Sequence, residues 1–478
     1  MSNSICLVVV KFRVLKCLKI NLLALSLIGF VLLCSCTTAL ADSFYSEPIF
    51  KAETVANNLR EGYWIESVDV NQDSQPDLVG HGLSSGELYW YENPKWERHL
   101  MQDKITMPVG ADTQDINNDG FPDYVFCYEL YGSGGRIDDP NPEGGKIAWL
   151  ENPGNADNAE SRWKKHYVGR QVGMHRLRVG HFTRTDRWQI LGLPIVSQYG
   201  VQDVLTIPLY TQPKDIEGAD SWDESIIDNQ HFRFVHGVQV KKGLIPNSEL
   251  DSVVLASDEG VTWLYYDQTF KKWKRVLLGT GEKSIFQETE YHFKGSGNPE
   301  IGRIGNDPFA YAAAVEPFHG STIAVYYKDE EGKSNPTEAS WHRRVLDVYG
   351  KPNAEHGEGT GHHIYAADFD GDGNDEFLVA LRGPKPYRGV FYYKAVDASK
   401  GLFLKWQVST ESAARIAVDD FNGDNKLDFA TIGYSVKKYY EDVDPKIVVF
   451  YNQTIINPKM NQTITDPKMV GVQKQDQF

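Results

Sequence analysis

Asp368-Phe-Asp370-Gly-Asp372-Gly373-Asn-Asp-Glu376 is one of four copies of a single acidic pattern. Asp69-Val-Asn71-Gln-Asp73 leads to Asp77, Asp115-Ile-Asn117-Asn-Asp119 to Asp123, and Asp420-Phe-Asn422-Gly-Asp424 to Asp428. Each copy puts side-chain oxygens at relative positions one, three, five and nine of a tight loop, which suits a hard cation such as Ca2+. A short apolar stretch precedes each copy. A strand-like apolar run follows it: Leu78-Val79, Tyr124-Val125-Phe126, Phe377-Leu378-Val379 and Phe429-Ala430. The unit reads as strand, cation loop, strand. The expected role of these ions is structural, since they neutralise clustered carboxylates and pin a turn.

Two further elements recur around that unit. One is an aromatic strand: Leu88-Tyr-Trp-Tyr-Glu-Asn93, Ile147-Ala-Trp-Leu-Glu-Asn152, Val261-Thr-Trp-Leu-Tyr-Tyr266, Ile323 to Tyr327, Val390-Phe-Tyr-Tyr393 and Ile447-Val-Val-Phe-Tyr-Asn452. The other opens on Trp96, Trp163, Trp222, Trp273, Trp341 or Trp406. Calling the strands A to D, seven A-B-C sets begin near Tyr63, Pro108, His175, Val235, Tyr291, His363 and Arg415. Only six D strands follow them, and the stretch Ile49 to Val55 supplies the seventh from upstream. Four-strand units repeated in this way predict an all-β, seven-bladed β-propeller whose N-terminal strand closes the last blade. The middle three units lack the acidic loop, so blade packing rather than an ion must carry the fold there.

The 478 residues carry a net charge of −16, which argues against a nucleic-acid surface. Lys11, Arg13, Lys16 and Lys19 precede an apolar run from Ile20 to Cys34 and then Ala39-Leu40-Ala41. Residues 1–41 therefore read as an export signal, giving a secreted or periplasmic protein without an integral span in the mature chain. Leu33-Cys34-Ser35-Cys36 also reads as an imperfect lipobox, which would put a lipid anchor on Cys36. Past Ala41 the one remaining cysteine is Cys127, so no internal disulfide is expected. The propeller is expected over 45–452, and the polar, repetitive stretch 453–478 reads as disordered.

In a four-stranded blade the A–B loops lie at one end of the ring. The B–C loops and the lead-ins to strand A lie at the other. His81, His175, His236, His292, His319, His362 and His363, seven of thirteen histidines, map to the end opposite the cation loops. Tyr128, Glu129, Tyr199, Glu316, Arg382, Tyr387, Arg388 and Tyr434 map there too. Gathered imidazoles suit zinc and proton transfer near neutral pH. His236, His292 and His363 are the expected transition-metal ligands, and His175 and His319 the expected base and acid. Arg176 and Arg178 are expected to orient substrate oxygens, with His81 and Tyr128 as further catalytic candidates.

Longer strings narrow the family. Gly145-Gly-Lys-Ile-Ala-Trp-Leu-Glu-Asn-Pro153, Gly173-Met-His-Arg-Leu-Arg-Val-Gly-His-Phe182, Leu255-Ala-Ser-Asp-Glu-Gly-Val-Thr-Trp-Leu264, Phe293-Lys-Gly-Ser-Gly-Asn298 and Val315-Glu-Pro-Phe-His-Gly320 resemble the aldos-2-ulose (1,5-anhydro-D-fructose) dehydratase family of fungi. The acidic loops alone resemble the wider FG-GAP/VCBS class. The family resemblance spans residues 45–452. It implies a dehydration site in the propeller, with zinc in the channel and magnesium or a similar ion in the loops. The isomerisation that the fungal enzymes assign to cupin domains is not implied.

The expected function is thus a hydro-lyase that eliminates water from a small keto-sugar through metal-assisted enolisation. Two other readings stand beside it: a lyase acting on uronic-acid glycosides, and a non-catalytic binding propeller.

Overall fold

The computed structural model describes residues 47–154, 162–283, 293–328, 336–353, 357–436 and 439–454. The expected signal segment, Cys36 and the tail from 455 onward lie outside the described residues. The described compact unit runs over Pro48–Ile456. It holds seven four-stranded antiparallel sheets, each in the order A-B-C-D, and one short 3-10 turn at Ala398–Lys400.

The seven A strands are Trp64–Val68, Ala111–Gln114, Met174–Gly180, Gly237–Lys241, Asn298–Ile304, Gly361–Ala367 and Arg415–Asp419. Each touches the next, and the last touches the first, so they form a closed inner ring. The final sheet takes Phe50–Ala56 as its outer strand, paired with Ile447–Asn452 in the register Phe50 to Asn452. The sequence expectation of a propeller closed by its N-terminal strand is met.

Burial follows strand position. B strands such as Asp123–Tyr128, Ser252–Ser257 and Glu376–Arg382 are buried at every residue, because a neighbouring blade covers each face. Their sequences are accordingly near-continuous apolar runs. D strands such as Trp341–Val348 lie on the outer wall and are largely exposed or half-buried.

The position-nine carboxylate of each acidic loop is a structural bridge. Asp77 accepts the Val70 N–H (2.9 Å) and the Asn93 N–H (2.8 Å). Asp123 does the same with Ile116 and Asn152, and Asp428 with Phe421 and Asn452. The asparagine that ends strand C then reaches across to the preceding blade. Asn93 Nδ2 donates to the Phe421 carbonyl, Asn152 Nδ2 to Val70, and Asn452 Nδ2 to Phe369. Blade three keeps this device without the acids: the Gln189 amide oxygen accepts the Phe182 N–H, and Gln212 Nε2 donates to the Ile116 carbonyl of blade two. The fold outlives the loss of a cation loop because neutral amides can make the same bonds.

Asn152→Ala removes donors to two carbonyls, Val70 and Pro122. Buried groups left without a partner cost about 1–3 kcal/mol. We expect a loss of that size in urea unfolding, with an unchanged far-ultraviolet circular dichroism spectrum.

Candidate functional site

Four imidazoles from four blades meet at the mouth opposite the acidic loops. His236 immediately precedes the A strand of blade four, and His319 follows the B strand of blade five. His175 and His362 lie within the A strands of blades three and six. Each of these two sits at a register shift, between Met174 and Arg176 and between Gly361 and His363. Such a bulge re-aims a side chain out of the strand alternation. Gly297 allows a further close approach: a Cβ there would lie 1.4 Å from the Phe318 carbonyl oxygen. That contact packs the His319 turn against the lead-in to the A strand of its own blade.

His236, His319 and His362 form a triad whose ligand atoms lie within 4.8 Å of one another. His236 Nδ1 faces the Gly297 carbonyl at 2.8 Å, and His362 Nδ1 faces the Ala414 carbonyl. His319 Nδ1 lies 3.0 Å from a Glu358 carboxylate oxygen. Each Nδ1 therefore carries its hydrogen toward an oxygen, which leaves each Nε2 with a lone pair. His319 Nε2 and His236 Nε2 face each other at 2.7 Å, and His362 Nε2 has no hydrogen-bond partner. The three Nε2 atoms converge on one point, as the ligands of a metal ion would. Three histidines whose Nδ1 atoms each face an oxygen are a donor set that could hold a metal ion.

Around the triad, Arg382 Nη2 donates to Glu358 (2.5 Å), and the Arg382 guanidinium lies over the Tyr434 ring. Tyr440 Oη donates to the Glu358 carbonyl at 3.1 Å. On the opposite flank Arg176 Nη2 donates to His236 Nε2 (3.2 Å), and Arg176 Nη1 donates to Tyr63 Oη (3.0 Å). Tyr63 Oη lies 3.2 Å from His175 Nε2. The His175 and His236 rings are 5.0 Å apart.

Burial pushes all four imidazoles well below the ordinary histidine range. Arg176 adds to the effect at His175 and His236, and Arg382 at His319 and His362. The rings are therefore neutral at pH 7, the form that binds a metal or accepts a proton.

The other expected site residues are placed as follows. His363 points away from the triad: its Nδ1 accepts the Ile416 N–H (3.3 Å), and His362 takes the place expected of it. His292 lies outside the described residues. His319 belongs to the triad rather than standing apart as an acid. Arg178 turns down the channel to the Ala111 carbonyl (2.9 Å) and to Glu66 (3.7 Å). His81 is buried, stacks on Trp64 and bonds the Gly82 carbonyl. Tyr128 packs on Phe126 under Lys165. Neither is part of the cluster. Sequence reasoning did not single out Tyr63, Glu358 or Tyr440. Glu358 sits in a connector with no periodic signal.

At the other end of the ring, three loops share one geometry. The Asp73 N–H donates to Asp69 and Asn71, the Asp119 N–H to Asp115 and Asn117, and the Asp424 N–H to Asp420 and Asn422. In blade six Asp368, Asp370 and Glu376 bring their oxygens within 4.8 Å of one another.

Residues 144–329 match the family model described as the aldos-2-ulose dehydratase β-propeller domain. The chain is 35% identical over 443 residues to the aldos-2-ulose dehydratase of Phanerodontia chrysosporium, covering 87% of this chain and 47% of that protein. It thus spans about half the length of the curated relative it matches, and the resemblance is shown for the propeller part. Among solved structures, virginiamycin B lyase from Staphylococcus aureus aligns at 11% identity and TM-score 0.46, over 85% of this chain and 99% of that one. U3-55K aligns at 9% identity and TM-score 0.47, over 84% and 98%. Likenesses of that strength carry no functional statement.

Burial lowers His81 to about 4. An unfolded histidine titrates near ~6.5, so below that pH the unfolded chain takes up a proton that folded His81 refuses. Stability contributed above pH 6.5 is therefore lost as the pH falls toward the folded value. Between pH 7 and 5 this costs about 2 kcal/mol. Compared at one fixed cation level, His81→Gln should lose that much less stability than the parent chain over the same interval, read from urea midpoints.

Proposed function

We propose that this propeller, of the aldos-2-ulose dehydratase kind, is a carbohydrate hydro-lyase that eliminates water from a keto-sugar such as 1,5-anhydro-D-fructose or an aldos-2-ulose. The observation that carries the reading is the buried triad of His236, His319 and His362, with a neutral His175 and a tyrosine beside it. His236, His319 and His362 would hold Zn2+ through Nε2. The chemistry an ion supplies there is polarisation of the ketone, which acidifies the neighbouring C–H.

The protein's own groups do the rest. Glu358 fixes the tilt of His319, and Arg382 holds the Glu358 carboxylate in place beside it. Arg176 orients Tyr63 and His175 with one guanidinium edge. His175 accepts the proton from the carbon next to the ketone, directly or through Tyr63. The electrons of that C–H bond become the new C=C bond, and the β-hydroxyl leaves with its own bonding pair. The proton held by the His175–Tyr63 pair goes to the departing hydroxide, so water is the only product lost. Burial of the site strengthens each of these charge interactions. The loops of blades one, two and seven would hold Ca2+ or Mg2+ in a structural role. Export to the periplasm or outside the cell completes the reading.

A second substrate class has one observation in its favour. Arg176 and Arg382 are both buried on opposite flanks of the triad, and Arg176 Nε and Arg382 Nε and Nη1 have no hydrogen-bond partner. Free guanidinium donors suit the carboxylate of a uronic-acid sugar.

Purified protein incubated with 1,5-anhydro-D-fructose should develop the ultraviolet absorbance of a conjugated enone. A uronate oligosaccharide turned over in its place would shift the reading to the second class. His175→Ala should cut kcat by about 10²–10⁴-fold, the usual worth of one proton transfer. Metal analysis should find zinc lost from His362→Ala and retained in His363→Ala. Equal zinc in both would remove the triad from the mechanism.

A further inference from the structure

The four acidic loops are not equivalent. Blades one, two and seven carry asparagine at position three, as Asn71, Asn117 and Asn422, whereas blade six carries Asp370. Blade six also has Glu376 at position nine in place of aspartate. It thus has four carboxylates where the others have three. A second difference lies across the sheet. Strand pairing aligns Leu78 with Tyr91, Tyr124 with Leu150, Phe377 with Tyr393, and Phe429 with Phe450. The next residue of strand C faces the loop, and it is Glu92, Glu151, Lys394 and Tyr451 in turn. The one loop with an extra acid faces the one lysine.

Lys394 lies among the loop's own ligands. Its Nζ donates to Asp370, to Asp372 at 2.8 Å and to Glu376 at 3.0 Å, which are positions three, five and nine. The side chain is 14% exposed. A divalent ion in such a loop needs these oxygens at about 2.3–2.6 Å. An ammonium bonded to three of the four cannot share the space with it. The blade-six loop also keeps its inner bonds, Gly373 N–H to Asp368 (2.9 Å) and Asn374 N–H to Asp372 (2.9 Å).

We propose that Lys394 is a tethered cation: its ammonium occupies the cation position of blade six, and only the loops of blades one, two and seven take dissolved divalent ions. Being covalently attached, this cation does not depend on the medium. Blade six lies beside the triad through His362, so the sheet that presents that imidazole keeps its loop closed when free Ca2+ is scarce. The proposal rests on the cation reading of the other three loops and is independent of the catalytic reading.

The test is a count of bound Ca2+ on the metal-stripped full chain, by equilibrium dialysis with elemental analysis. The parent chain should bind three loop ions. Lys394→Met should bind four. Moving the pair into blade one, as Asn71→Asp with Glu92→Lys, should lower the count to two. Should Lys394→Met fail to fold, the parent count and the blade-one variant still decide. Four ions on the parent chain, or counts unchanged in both variants, overturn the proposal. A count of zero overturns it together with the cation reading of the motif. Neither result bears on the dehydration assay.

Discussion

Pairing between Phe50–Ala56 and Ile447–Asn452 is the constraint on which everything else depends. It turns seven sheets into a ring, and a ring has two ends that do different work. The A strands run the same way round the channel, so their starts converge at one mouth and their loops at the other. Closure brings Tyr63 of the first blade beside His175 of the third and His362 of the sixth. Without it, a triad drawn from blades four, five and six could form, but its Tyr63 flank could not.

How much of this was legible in the sequence follows from what repeats. The acidic loops, the aromatic C strands and the tryptophan D strands recur, so the blade count and the closing strand could be read directly. The end of the ring at which the histidines gather followed from the blade topology. Individual roles did not. Strand alternation is a period-two rule, and at His362 and His175 a bulge breaks it. His362 and His363 adjoin in sequence yet serve different surroundings, one at the mouth and one against the backbone of blade seven. The bulges themselves leave no residue signature. Glu358 and Tyr440 lie in connectors, where no periodicity exists to break. Arg178, two residues from Arg176 on the same strand face, looked equivalent to it and differs only in depth along the channel.

The repeated carboxylate and asparagine bridge explains why the loops can diverge while the blades do not. Its essential parts are an acceptor for two backbone N–H groups and a donor to the blade before. Aspartate with asparagine provides these in blades one, two and seven, and Gln189 with Gln212 provides them in blade three. The ion is an addition to that frame. The mouth opposite is correspondingly free to concentrate charge, and it holds Arg176 and Arg382 in burial that ordinary surface arginines never meet.

The closing strand also sets a timetable. It is the first part of the propeller to leave the ribosome, and the residue that fastens beside it, Thr454, lies 405 positions later than Ile49. For that interval Phe50–Ala56 is a nascent edge with bare backbone donors, open to capture by any other unfinished chain. Lys51 and Glu53 face solvent even after closure. Charged edge residues discourage stray pairing. The charges on this strand suit an edge that waits for its partner as well as the sheet it finally joins.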